Sequence, residues 1–196
     1  MGYLLQNGGL GMAGDWIITG GRPLQGRVEV PAAKNSVLPL LAATLLCAQP
    51  CTLRRVPLLR DVQTSLDLLR AVGSGAAWAG QDLVTQPARQ ISGRVPTALA
   101  GAMRGSVFYL APLLTRAGWA ELPLPIDIHL AGLTAMGAQV CAAAECVVLR
   151  RHGVLRGTDF ALRLPSVGAT LTLMLAACCA AGVTTLRGAA CEPEIA

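Results

Sequence analysis

The sequence predicts an α/β fold assembled from copies of one unit, and three observations point there. An order of strand, helix, strand, helix, strand, strand recurs at about 65 to 70 residues, the mark of a domain built by repetition. Hydrophobic residues make up 53% of the 196 residues and charged residues only 14%, which supplies a core and excludes a disordered chain. Aromatics are scarce at 4%, so that core rests on Leu, Ala and Val.

The first unit opens on residues 26–30, whose alternation reads as a strand. An apolar helix-length run over residues 35–47 follows, then a strand over 51–56 and a helix over 62–71, with Gly73 as its expected C-cap. Short strands at 76–78 and 82–84 close the unit. The second unit repeats the order: a helix over 98–115 containing Arg104, a strand over 120–124, a helix over 127–136 ending at Gly137, and strands at 139–142 and 146–149. A third begins with a strand over 161–164, a helix after Ser166 and a strand over 184–187.

Each unit starts a helix beside an anion-capable group. Lys34 and Asn35 stand at the first strand-to-helix junction, Arg104 lies early in the second unit's first helix, and Ser166, Val167 and Gly168 open the third. Unpaired N–H groups and the helix dipole favour an anion at such a start. If the units pack symmetrically, these starts converge on a site for a phosphorylated or carboxylated ligand.

Charge, cysteines and hydropathy narrow the alternatives. The net charge of +5 comes mostly from scattered arginines, because Lys34 is the sole lysine, and no basic run with interleaved aromatics suggests nucleic-acid binding. Cys47, Cys51, Cys141, Cys146, Cys178, Cys179 and Cys191 form no CxxC pair, and His129 and His152 are the only histidines. Free, mostly buried thiols in a reducing compartment are therefore expected, with no metal and no cofactor. Residues 164–186 carry no charged side chain and are long enough to span a bilayer. Pro165, Gly168 and Gly182 interrupt them, so a core helix followed by a strand is the better reading, and the membrane anchor is the alternative.

Several segments occur in an order that closely resembles the bacterial UDP-N-acetylglucosamine 1-carboxyvinyltransferase family. They are Pro31-Ala32-Ala33-Lys34-Asn35, Val56-Pro57-Leu58-Leu59-Arg60-Asp61, Ala102-Met103-Arg104-Gly105-Ser106, Ile126-Asp127-Ile128-His129, Pro165-Ser166-Val167-Gly168-Ala169-Thr170 and Glu192-Pro193-Glu194-Ile195. The resemblance starts near Trp16 and covers about the N-terminal half of that enzyme. The related shikimate-pathway carboxyvinyltransferase is less similar, since its first motif normally reads Asp-Lys-Ser where Ala33, Lys34 and Asn35 stand.

The resemblance implies an enolpyruvyl transferase fold, an inside-out α/β barrel of βαβαββ units, incomplete here, with the active site in a cleft between two domains. Residues 1–15 would be an extra leader, 16–30 a first strand region belonging to the other domain, and 31–196 an incomplete domain of two units and the start of a third. It implies cytoplasmic transfer of the enolpyruvyl group of phosphoenolpyruvate to the 3′-hydroxyl of UDP-N-acetylglucosamine in peptidoglycan synthesis. Lys34 and Asn35 would meet phosphoenolpyruvate. Arg104 would sit near the phosphates, and Pro125, Ile126, Asp127, Ile128, His129, Ser166, Val167 and Gly168 would line the UDP-sugar side.

The departures are equally specific. Members carry a loop of the type Gly-Gly-Cys-x-Ile-Gly-x-Arg-Pro between the strand ending at Pro125 and Asp127, and its cysteine is the acid; here the loop is absent. The repeat agrees, because Pro57, Leu58, Leu59 and Arg60 separate Val56 from Asp61 whereas Ile126 alone separates Pro125 from Asp127. Cys191 and Leu164 replace an arginine and a lysine of the family pattern, and the second domain's residues lie beyond Ala196. The chain is therefore expected to be a family member with little activity alone, with a separately encoded C-terminal half as candidate partner. The alternative is a UDP-sugar or phosphate-binding remnant without turnover.

Overall fold

A computed structural model describes residues 25–28, 30, 32–123, 127–142 and 146–195. The expected leader, Pro125 and Ile126 lie outside the described residues. The chain divides into two units, Met1–Val30 and Pro31–Ala196. In the first, the described residues of segment 26–30 form no strand, and Val28 and Val30 are 85% and 88% exposed. Alternation makes a strand only where a neighbouring backbone pairs with it, and no described residue does so here.

The second unit contains the repeat. Helix α1 (Lys34–Ala43) buries Val37, Leu38, Pro39, Leu41 and Ala42 and passes through a 3-10 turn, Thr44–Leu46, to strand β1 (Cys51–Leu53). Helix α2 (Arg60–Ala71) and strands β2 (Gly75–Ala79) and β3 (Asp82–Gln86) complete the first copy. The second has helix α3 (Thr97–Ala102), a 3-10 segment (Arg104–Tyr109), helix α4 (Leu110–Ala117), strand β4 (Trp119–Leu122), helix α5 (Asp127–Ala135) and strands β5 (Ala138–Ala142) and β6 (Val147–Arg151). Strand β7 (Asp159–Ala161), helix α6 (Val167–Ala177) and strand β8 (Thr185–Arg187) follow. Gly73 and Gly137 take φ of +103° and +97° just past α2 and α5, the left-handed stop expected of them.

Sheet topology repeats with the elements. The orders are β1-β3-β2 and β4-β6-β5, each with its third strand antiparallel between the other two. The first strand and helix of a copy appear as a parallel bridge from Arg94 to Glu121 around α3 and α4, and as the parallel pair β7 and β8 around α6. Alternating burial along β3 and β4 turns one face of each sheet inward. The helices occupy the interior, where Leu41, Leu66, Tyr109, Leu110, Leu113, Leu114, Leu133 and Leu173 are fully buried. Sheets outside and helices inside is the predicted inside-out arrangement.

Three expectations change. The helix over 98–115 is broken at Met103, which turns extended (φ −148°, ψ 121°) and buries its side chain, while the Ser106 hydroxyl reaches back to the Ala100 carbonyl at 3.2 Å. The third unit's strand lies at Asp159–Ala161, two residues before the predicted start, because Leu162 N–H pairs with the Arg187 carbonyl and the chain then leaves the sheet. The cysteines are free but half-buried or exposed, because Cys47, Cys178 and Cys179 fall at helix ends and Cys191 in the irregular segment after β8. Residues 164–186 hold α6 and β8, and no helix among the described residues is long and apolar enough to cross a membrane.

Candidate functional site

The helix starts of the three copies meet at one cavity of about 940 Å3. Lys34, Asn35 and Leu38 reach it from α1, Arg104, Gly105, Val107 and Phe108 from the 3-10 segment, and His129 from α5. Ser166, Val167 and Gly168 reach it from the start of α6.

Local sequence explains why these starts are open. Ala33 precedes α1 with no side chain that can cap it, and no acidic residue stands in its first turn. The N–H groups of its first turn are therefore left to the cavity. At α6, Ser166 accepts the Ala169 N–H at 3.3 Å, leaving Val167 and Gly168 N–H groups uncapped by a side chain. Gly168 also allows close approach of α6 to α5, since a Cβ there would lie 3.1 Å from Nε2 of His129. The break at Met103 puts Arg104 at the start of a new helical segment rather than inside a helix, and so in the cavity.

Electrostatically the site is mixed. Lys34 Nζ forms an ion pair with Asp61 Oδ2 from the first turn of α2, where the helix dipole also favours the carboxylate. Glu192 and Glu194 line the cavity as well. Backbone holds their segment in place: Ala190 N–H donates to Thr170 Oγ1 on α6 at 3.1 Å, and Ile195 N–H donates to the Glu192 carbonyl at 2.9 Å. Among the described residues no group of His, Cys, Asp and Glu is placed to hold a metal, and the cavity lining includes no cysteine.

Of the predicted residues, Lys34, Asn35, Arg104, His129, Ser166, Val167 and Gly168 come together. Asp127 and Ile128, one helical face away on α5, line a separate cavity of about 350 Å3 with Ala131, Phe160, Ala161 and Arg163. Asp61, Glu192, Glu194, Leu38 and Phe108 were not predicted as site residues. Asp61 had a signal, an acid at a helix start in the same repeat position as Asp127; Glu192 and Glu194 stand in one of the family-like segments but far along the chain, and an Ala190–Thr170 hydrogen bond ties their segment to α6.

Comparison with known proteins gives the family and the fold. Residues 18–196 match the family described as EPSP synthase (3-phosphoshikimate 1-carboxyvinyltransferase). UDP-N-acetylglucosamine 1-carboxyvinyltransferase 1 of Carboxydothermus hydrogenoformans is 41% identical over 189 residues, covering 92% of this chain and 44% of the relative. The corresponding enzyme of Nostoc sp. is 40% identical, covering 91% and 42%. The chain thus spans about half the length of the curated relatives it matches. The crystal structure of the enolpyruvyl transferase NikO from Streptomyces tendae superposes with a TM-score of 0.79 at 23% identity, covering 90% of this chain and 43% of that one. EPSP synthase from Acinetobacter baumannii gives 0.72 at 14%, covering 87% and 42%. At these identities the two structures speak for the fold alone.

Proposed function

Because the chain belongs to the EPSP synthase family of enolpyruvyl transferases, we propose that its cavity binds the phosphate-bearing substrates of enolpyruvyl transfer, phosphoenolpyruvate and UDP-N-acetylglucosamine. The observation that carries this reading is the convergence of Lys34, Asn35, Arg104 and the open starts of α1 and α6 on one cavity. Identity of about 40% to enzymes named for UDP-N-acetylglucosamine favours that acceptor over shikimate 3-phosphate.

In the transfer, the sugar hydroxyl gives up its proton as its oxygen adds to C2 of phosphoenolpyruvate, and a proton adds to C3, turning that carbon into a methyl group. Loss of one proton from this methyl and departure of phosphate from C2 then restore the double bond. Negative charge sits on the phosphate and carboxylate throughout, so preorganised donors stabilise it. In this chain Lys34 and Asn35 would hold phosphoenolpyruvate at the start of α1. Arg104, His129, Ser166, Val167 and Gly168 would hold the phosphates of the UDP-sugar.

The proton donor is the part that does not fit. The family's cysteine loop is absent between Pro125 and Asp127. The alignment with the Carboxydothermus enzyme runs over more positions than 92% of this chain supplies, so the relative carries residues that this chain lacks. Binding without turnover by this chain, in the cytoplasm, is accordingly the function proposed.

Isothermal titration tests it. Inorganic phosphate and UDP-N-acetylglucosamine should bind the chain, and Lys34→Ala and Arg104→Ala should each weaken phosphate binding about tenfold or more, the loss expected for one charge-assisted contact. Affinity that is the same in both variants as in the wild type would overturn the assignment of the cavity.

A further inference from the structure

The cavity does not have the charge of a simple phosphate site. Lys34, Asp61, Arg104, Glu192 and Glu194 carry its formal charges. Lys34 and Asp61 pair with and offset one another. No ion pair among the described residues involves Arg104, Glu192 or Glu194, which leaves one cation facing two carboxylates. The carboxylates are brought there by a backbone anchor on α6, with Ala190 itself 6% exposed.

A bare phosphate bound here gains Arg104 and the helix starts but is repelled by the two glutamates. An ionised carboxylate only accepts hydrogen bonds, so what suits it is a neutral donor such as a hydroxyl or amide N–H. Such a bond to a charged acceptor is stronger than one between neutral groups. A cavity of about 940 Å3 has room for a phosphate and a donor-rich group together.

We infer that Glu192 and Glu194 are specificity-determining residues, accepting hydrogen bonds from the hydroxyl or amide groups of a phosphorylated sugar while disfavouring a bare phosphate. The inference rests on the reading of the cavity as a phosphate-binding site and adds the selection between ligands. A ligand carrying both an anion and donors satisfies both sets of side chains. A simple anion satisfies one and opposes the other.

The test is isothermal titration of the full chain at low ionic strength with inorganic phosphate, UDP and UDP-N-acetylglucosamine, comparing wild type with Glu192→Gln/Glu194→Gln. Neutralising both charges should tighten phosphate binding about fivefold, as two charges acting through partly solvated space would. The gain in affinity from UDP to UDP-N-acetylglucosamine should shrink at least about threefold, because the acceptors are no longer charged. Glu192→Ala/Glu194→Ala should keep the first effect and deepen the second. Glu192 is exposed and Glu194 half-buried, and neither side chain makes a hydrogen bond or ion pair among the described residues, so the melting temperature should stay at the wild-type value. Unchanged phosphate affinity, or an unchanged sugar increment, overturns the inference and leaves the phosphate site standing. Wild-type protein that binds none of the three probes overturns the phosphate site, and the inference with it.

Discussion

Tyr109 shows what one residue contributes inside a helical core that is almost without aromatics. Its side chain is fully buried, its hydroxyl donates to the Ser65 carbonyl at 3.1 Å, and it shares a second hydrogen bond with the Ser65 hydroxyl, tying the helical segment that carries Arg104 to α2. Burial pushes its phenol well above the ordinary tyrosine range, and the Ser65 contact only partly opposes that. A group whose folded-state pKa is raised contributes stability that is complete below the unfolded value and is lost as pH rises toward the folded one. Denaturant melts between pH 8 and pH 12 should therefore show stability falling once the ordinary tyrosine range, about 10, is passed. Tyr109→Phe should remove that alkaline component and cost about 1–3 kcal/mol at neutral pH, by leaving buried acceptors unsatisfied. A Tyr109 phenolate absorbance that rises while the protein stays folded would contradict the burial argument. None of this was legible beforehand: a tyrosine in an apolar run reads as core, but its partner lies on another helix.

Between elements, the contact of α5 with α6 shows the same dependence on packing. Gly132 and Leu173 are both buried, and a Cβ at Gly132 would fall 2.5 Å from both methyl carbons of Leu173. The contact sets the distance between the helix that carries His129 and the helix start at Ser166. Gly132→Ala should cost about 1–3 kcal/mol through overpacking, read from the denaturation midpoint. A variant as stable as wild type would mean that the two helices can move apart freely. Helix starts and glycine stops were legible in the sequence because capping chemistry is local: Ser166, Gly73 and Gly137 do what was expected of them. The break at Met103 was not, because it depends on burying Met103 and on a hydroxyl that reaches back to Ala100.

For the whole molecule, the decisive question is turnover. With phosphoenolpyruvate and UDP-N-acetylglucosamine both present, phosphate release by the purified chain should stay at background under the proposed reading, because the cavity lining among the described residues offers no thiol to act as acid. Robust release would overturn the reading of binding without turnover while leaving family membership untouched. The outcome separates an enzyme from a binding protein, which fold alone cannot do.

By itself the sequence determined the repeated unit and which side chains stand at helix starts, since hydrophobic period and capping residues are carried by neighbours along the chain, while the helix-rich interior was implied by the family resemblance of its motifs. Lys34, Arg104 and Ser166 could be named from it. Only the tertiary structure decided that their three helix starts share one cavity, that Asp127 and Ile128 face another, that Asp61 compensates Lys34, and that Glu192 and Glu194 bring negative charge to a site read as cationic. Those facts depend on distances between residues remote in sequence, set by how α1, α5 and α6 pack and by one hydrogen bond from Ala190 to Thr170.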